Sequence, residues 1–503
     1  MLLVALLTLA ACSGGGGGDV GSAAPSGAPV ITTQPLSQTV IAGQTATFAV
    51  TATGTAILSY QWKKNGVDIS GATSAGYTTP VTTVADHDAK FTVVVTNAVN
   101  SATSNQATLT VNSGNSTFSV TQYGITWTFS EARRVGQFIN GDWWVQGPVT
   151  ISSITPSPLA GRNGSMVNPV PCAGQGYDNR GGDYNASLAA QLPIQLLVNQ
   201  SLVSTISNDT AFTCLDPNGN GAWLNYLGDC SRGVMKTQAV LTCVAAVPTA
   251  VTFRPPYAGS EYKPYFAESA VNWGLLPKFS QPANMPAGSE VIRNIQRPYI
   301  DHNCSWITQY THAGDNFCGY GACIAGSISE AAAYVLTDAE QAQTVAIHLI
   351  QRGIDNYGVV KAGGGWPADG GHASGRKFPV VFAAVMLNDS TLKSVGMSYG
   401  DIAFGEDCQT YYDGSNVPRW GIRHCQDPLR ADYNDESSGY RTCCTSGSWP
   451  GQTLATRMLT GAKATWNHDA YFDYVDRWIS EGGSYGDRWQ VPLFIETLWE
   501  DHR

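Results

Sequence analysis

Between residues 372 and 377 the chain sets an imidazole beside two fixed cations, His372, Arg376 and Lys377, inside the glycine-rich stretch GGGWPADGGHASGRK at residues 363–377. Glycine lets a backbone bend tightly or come close to a ligand. A histidine that titrates near neutrality, next to a guanidinium and an ammonium, suits a site for a carboxylated substrate. The plain alternative is a solvated loop joining two helices. Three more clusters lie in the same half. One is Arg297-Pro298-Tyr299-Ile300-Asp301-His302. The next is Tyr310-Thr311-His312 with Asp315-Asn316. The third runs from Phe404-Gly405-Glu406-Asp407 through Tyr411-Tyr412 and Arg419-Trp420-Gly421-Ile422-Arg423-His424 to Tyr440-Arg441-Thr442-Cys443-Cys444. Histidines, tyrosines and arginines abound, and carboxylates are not obviously paired. That inventory suits β-elimination of a uronic-acid polymer. Arg, His or Asn neutralises the sugar carboxylate, Tyr or His removes the neighbouring proton, and Tyr protonates the leaving oxygen.

Each candidate has a structural rival. His302 and His312 are equally well read as core histidines. Tyr411 and Tyr412 either stack on substrate or fill the core. Trp366 and Trp420 sit beside glycines in loops, which favours stacking on a sugar. His348 falls off the apolar stripe of its helix and is expected at the surface, as are His468 and His502, while His87 lies in the spacer.

These clusters need a scaffold. From about residue 290 the apolar period is helical. Thr337-x-x-Glu340 reads as a capping box. Ala342, Val345, Ala346, Leu349 and Ile350 then share one face, and Gly353 and Gly358 lie where that helix is expected to end. KFPVVFAAVML at 377–387 reads as a buried helix with Pro379 near its start. Tyr471, Tyr474, Val475 and Trp478 form another stripe. Helices of ten to fifteen residues joined by long Gly- and aromatic-rich loops predict an (α/α) toroid-like body with a loop-lined cleft. Upstream, residues 113–290 read as β-rich. Strand-like runs flank Asn140-Gly141 and continue in IQLLVNQSLVSTIS and AVLTCVAAVPTAVTFRP. Gly161-Arg162-Asn163-Gly164 and Gln175-Gly176-Tyr177-Asp178 are loops that lie near a ligand or are structural.

Residues 30–112 alternate with period two around turns at Ala42-Gly43, Asn65-Gly66 and Ser70-Gly71. From PLSQTVIAGQTATF through YQWKKNGVDISGAT to FTVVVTNAVNSATSNQATLTV they resemble bacterial immunoglobulin-like domains that precede catalytic domains. Trp62 stands at the sandwich-core position and Phe91 near the usual tyrosine corner, and the cysteine pair of antibody domains is missing. This β-sandwich is expected to be a spacer. The chain is thus read as multidomain, with the helical part spanning 291–503.

Residues 1–12, MLLVALLTLAAC, resemble a bacterial lipoprotein signal peptide whose lipobox ends at Cys12, although no Lys or Arg precedes the apolar run. The resemblance implies an exported protein, at the periplasm or cell surface, anchored by lipid on Cys12. Residues 13–29 form a flexible Gly/Ser/Ala/Pro tether. With 503 residues, two to four domains are expected. A net charge of −10 argues against nucleic acid as a partner, yet allows a local basic cleft for an acidic polysaccharide. Twelve cysteines fit an oxidising compartment. Without Cys12 their number is odd, so one is free or pairs between chains. Cys318 with Cys323 and Cys408 with Cys425 are plausible local bridges, and the vicinal Cys443-Cys444 is not expected to bond to itself. No Cys/His spacing suggests zinc.

In order, DNFCGYGACIAG, RGIDNYGVVKAGGGW, GGHASGRKFPVVFAAVML, FGEDCQTYY, RWGIRH and YRTCCT resemble helical-toroid polysaccharide lyases, the nearest named group being the glucuronan and alginate lyases of polysaccharide lyase family 38. The resemblance spans roughly residues 118–503 and is strongest at GGHASGRK. It implies cofactor- and metal-independent lysis of a β-1,4-linked polyuronate. His372 would be catalytic or charge-neutralising and Tyr440 the base or acid, with Arg441 or Arg376 gripping carboxylate. Lys377, Tyr299, His302, His312, Asn316, Trp366, Tyr412, Trp420 and Arg423 would contact substrate. Insertions bearing Cys214, Cys230 and Cys243 depart from the group. Two other functions compete. A glycoside hydrolase on the same scaffold would need opposed carboxylates, for which Asp369, Glu406 and Asp407 are the candidates. A non-catalytic glycan-binding lipoprotein would need only the spacer and exposed tryptophans.

Overall fold

A computed structural model describes residues 27–503, except 42, 113–115, 209–233, 249, 301, 303, 305–320, 368–369, 438–440, 442–444 and 482–490. The chain forms two compact units, Met1–Gly114 and Asn115–Arg503.

In the first unit, Thr and Val alternate along short runs, and alternation sends every second side chain inward. Gln38–Ile41, Ala107–Asn112, Ala89–Thr96, Ser59–Lys64 and Val67–Asp68 form one sheet in that order, with Ser101–Thr103 also on Ala89–Thr96. Gln38–Ile41 runs parallel to Ala107–Asn112, while Ser59–Lys64 is antiparallel to Ala89–Thr96. Thr47–Ala49 pairs with Gly76–Thr78 in a second layer. Between the layers Phe48 stacks on Phe91 at 4.4 Å, and the sealed Trp62 donates its indole N–H to Ser74 O at 3.0 Å. This is an immunoglobulin-like β region, with Trp62 in its core as expected and Phe91 beside it.

The second unit opens with an eight-stranded sheet. Its order is Ser165–Val167, Ser201–Ser207, Met235–Val244, Trp143–Gln146, Ile125–Gln137, Val149–Thr155 and Ile194–Leu196, with Ser116–Gln122 also on Ile125–Gln137. The long Ile125–Gln137 strand carries register shifts against two neighbours, so the sheet curls around its own apolar core of Trp127, Phe129, Ile151 and Leu241. Met235–Val244 is buried on both faces, because Val240 belongs instead to the helical core. The expected free cysteine is Cys243 among the described residues; it is buried in the sheet core, and burial pushes its thiol up to about 12.

A buried charge network joins sheet to helices. Arg254, 1% exposed, donates Nε to Asp142 Oδ2 at 2.7 Å and its two terminal nitrogens to Asp355 at 2.9 and 2.6 Å. Gln351 bonds the Arg254 backbone in both directions, and Asn140 and Gln122 complete the shell of Asp142. Every charge there is paired, as burial requires.

The helical part contains Gly288–Ile295, Gly321–Tyr334, Ala342–Lys361, Lys377–Met386, Pro450–Met458, Ala462–Trp466, Asp469–Ser480 and Leu493–His502, with single helical turns between. The Ala342–Lys361 helix does not stop at Gly353 or Gly358. A Cβ on Gly353 would lie 2.0 Å from Pro379 O, and one on Gly358 2.2 Å from a Pro256 side-chain carbon. These glycines admit neighbouring segments rather than ending a helix. The capping box does not form either: Thr337 Oγ1 bonds Tyr334 O, and the helix cap is Gln341. Tyr471, Tyr474, Val475 and Trp478 face the core as their spacing predicts. Among the described residues no helix is long and apolar enough to cross a membrane.

Candidate functional site: the His372 turn and the arginine-rich loops

His372 lies in a short 3-10 turn, Gly370–Ala373, directly before the Lys377–Met386 helix. Too many glycines precede it for a longer helix to persist. The turn is held from several sides. Arg376 NH1 donates to His372 O at 3.0 Å and Ser374 O at 2.5 Å, and Asn356 donates to Arg376 O at 3.0 Å. Trp449 Nε1 reaches Ser374 Oγ at 3.2 Å, and Glu406 Oε1 accepts the Gly375 N–H at 2.7 Å. Gly375 is left-handed at φ 87°, and a Cβ there would lie 2.6 Å from Ala325 Cα. Burial raises the Glu406 carboxyl above the usual range, against the lowering effect of backbone N–H groups and Arg376.

The three basic candidates of this turn divide. His372 keeps 6% of its surface, whereas Arg376 keeps 1% and Lys377 none. The Lys377 ammonium is ion-paired with Asp407 and donates to Trp466 O at 2.7 Å; Asp407 also accepts the Trp466 indole N–H at 2.9 Å. Burial lowers the Lys377 pKa, and Asp407 opposes it. Lys377 is therefore a core ion-pair partner, which corrects its reading as a substrate contact. Arg376 braces the turn from within.

Gln409 joins this turn to the next cluster. Its Nε2 donates to Gly370 O at 3.0 Å and Ile422 O at 3.1 Å. The expected Cys408–Cys425 disulfide closes the same loop, as does the pairing of Thr410–Tyr412 with Pro418–Trp420. Arg423, partly buried, is thus brought next to the His372 turn in backbone terms. Tyr411 stacks on His424 with centroids 3.4 Å apart, and His424 Nδ1 meets Asn434 Oδ1 at 2.7 Å. Glu436 gathers the arginines: Arg419 at 3.0 Å, Arg477 at 2.9 Å and Arg441 at 3.9 Å, besides accepting the Trp420 N–H at 2.8 Å. Burial opposes its charge, but Arg477, the Trp420 N–H and Arg419 prevail and hold its carboxyl below the usual range. Tyr412 is 38% exposed and donates its hydroxyl to Asp473 at 2.6 Å.

The remaining candidates lie elsewhere. Trp366 and Trp420 are 2% and 1% exposed and pack in the core, so neither offers a face to a sugar. Tyr299 is sealed, with the Arg352 guanidinium 3.3 Å above its ring and its hydroxyl donating to Asn294 O. His302 is sealed between Tyr177 and Tyr257, each edge-on at 5.8 Å, beside the Cys172–Cys304 disulfide. Both are core residues. His348 is buried too, contrary to its reading as a surface residue, and so are the hydrolase candidates Glu406 and Asp407. Tyr440, His312, Asn316, Cys12, Asp369, Cys318, Cys443, Cys444, Cys214 and Cys230 lie outside the described residues. Cys323 is disulfide-bonded. Gln409, Glu436 and Arg477 were missed. The weak signal for Glu436 is that it is an acid amid several nearby arginines; Gln409 carries none.

No family model and no curated protein matches the chain. Among solved structures it is similar to the tandem Ig repeats of Dlar, at 22% identity over 18% of this chain and 51% of that chain, with a TM-score of 0.16. It is similar to titin domain M7, at 29% identity over 17% of this chain and 93% of that one, with a TM-score of 0.15. It is also similar to Sidekick-1 immunoglobulin domains 1–5, at 14% identity over 46% and 41% of the two chains, with a TM-score of 0.16. The chain spans about half the length of the Dlar repeats it matches. Scores this low carry no argument; the immunoglobulin-like character of the N-terminal region rests on its own strands.

Proposed function

We propose that the C-terminal unit is a polysaccharide lyase that cleaves a β-1,4-linked polyuronate, glucuronan or alginate, by β-elimination on an (α/α) toroid-like helical body. The observation that carries this reading is the double tether through Gln409 and Glu436. Gln409 ties the His372 turn to the loop before Arg423, and Glu436 pairs with Arg419 at the start of that loop and with Arg441. In the proposed reaction Arg441 and Arg423 neutralise the sugar carboxylate. His372 or Tyr440 removes the proton from the carbon beside it. The electron pair forms a carbon–carbon double bond as the linking oxygen leaves, and that oxygen takes a proton from the tyrosine. A glycoside hydrolase reading loses ground, since Glu406 and Asp407 are sealed and Asp407 is neutralised by Lys377. The protein is further proposed to be an exported bacterial lipoprotein, held to a membrane through Cys12, with acidic polysaccharide as its partner. The test incubates it with glucuronan, alginate and a neutral glucan and follows ultraviolet absorbance of the unsaturated product. A lyase gives that signal with a uronate polymer alone. Reducing ends without absorbance indicate a hydrolase, and neither signal indicates a binding protein.

A further inference from the structure

A cavity of about 470 Å³ opens in the β region between residues 157 and 192, built from residues that take no part in the His372 side. Leu159, Arg162, Tyr184 and Leu192 line it, and among the described residues that do so there is no Asp or Glu. Arg162 is partly buried, and its guanidinium makes no hydrogen bond or ion pair to any described residue. Its backbone is fixed all the same. Leu159 and Arg162 bond each other in both directions, at 2.8 and 3.1 Å, around Ala160 and Gly161. Those two residues are both left-handed, at φ 45° and 82°, the signature of a mirror-image hairpin turn. Alanine is strained there, and neighbours hold it: Asn179 bonds Ala160 O and Gly161 O, and Asn163 is bonded both ways to Ser207. A turn fixed by its neighbours thus presents a cation with no partner among the described residues to a cavity that also offers an aromatic ring, while Leu159 and Leu192 stay 66% and 36% exposed. On a chain of net charge −10 this is a local basic concavity.

We propose that this cavity is a second, non-catalytic subsite for one carboxylated sugar unit. The carboxylate meets Arg162 and the apolar sugar face lies on Tyr184, Leu159 and Leu192. The choice of a sugar acid rests on the polyuronate reading; the anionic, part-apolar character of the ligand rests on the cavity itself. Such a subsite holds a long polymer while another segment occupies the His372 side, which raises avidity without new chemistry.

The test is calorimetric titration of the full chain carrying His372→Ala, to prevent turnover, with monomeric glucuronate, glucose and inorganic phosphate. Glucuronate is expected to bind, and Arg162→Gln in that background to weaken it roughly tenfold or more, the loss of a charge-assisted hydrogen bond. Arg162→Lys recovers part of the loss. Unchanged affinity in Arg162→Gln overturns the proposal. Equal binding of glucose overturns it as well, because charge is then not read, and equal binding of phosphate reduces the site to a plain anion site. Arg162→Gln alone is expected to keep its melting temperature and its turnover of short substrate. If the wild-type protein yields no unsaturated product while glucuronate binding still depends on Arg162, the lyase reading falls and the subsite stands. Product formation with binding independent of Arg162 is the reverse.

Discussion

Lys377 and Asp407 illustrate how residue type alone misleads. Next to a histidine and an arginine, a lysine reads as a hand for a carboxylate, yet here it is buried against its own aspartate and Trp466 O. Removing one member of a buried pair leaves the other charge unsolvated. Lys377→Met is therefore expected to lower unfolding stability by about 3–5 kcal/mol in denaturant titration, with the double variant Lys377→Met/Asp407→Leu recovering much of it. Loss of activity at unchanged stability would return Lys377 to the substrate side. His348 offers a pH test. Desolvation, aided by Arg352 and opposed by Asp142, lowers its pKa from 6.5 to about 4. The folded state keeps it neutral while the unfolded chain takes up a proton. Its contribution is thus whole above pH 6.5 and is lost as pH falls towards 4, by about 3 kcal/mol. His348→Gln is expected to flatten stability across that window, and an unchanged slope would count against it. The cluster of His372 with nearby arginines and a lysine was legible in the sequence as a group of basic side chains. Which cations reach solvent was not, because that depends on partners some thirty residues away, as Lys377 and Asp407 are.

Elements were legible where one face carries the pattern. Asp469–Ser480 forms as its apolar spacing predicts, Lys377–Met386 forms as its continuous apolar run predicts, and the sandwich strands follow their alternation. Glycines were misread when packing, not conformation, placed them, as at Gly353 and Gly358 against Pro379 and Pro256. Two tryptophans were misread for a related cause: adjacent glycines signal a loop, but this loop is folded inward, with the Trp366 N–H on Ala403 O at 2.6 Å. The buried amide of Gln409 is one of the groups that position the His372 turn. Gln409→Ala leaves the Gly370 carbonyl without this donor and is expected to cost about 1–3 kcal/mol in thermal or chemical unfolding. It should also lower kcat more than it raises KM. Lost stability with full kcat would mean that the placement of the turn does not matter to turnover.

At the scale of the whole molecule, the immunoglobulin-like region and the C-terminal unit each have their own core. A chain of residues 115–503 is accordingly expected to unfold as cooperatively as that part does in the full protein and to keep its turnover of soluble polymer, measured by calorimetry and product absorbance. Loss of either would give the spacer a structural or catalytic part. Within the larger unit, the Arg254 network fastens the curled sheet to the helices, so the β region and the His372 side belong to one body. On the proposed reading, this body carries out elimination on a sugar acid at His372. The direct measurement is the rate of unsaturated-product formation from polyuronate by His372→Gln beside the wild-type protein, with unfolding recorded for both. A fall of about 10²–10⁴-fold at unchanged stability is the predicted result, the usual contribution of a positioned acid or base. Full activity in the variant would contradict it.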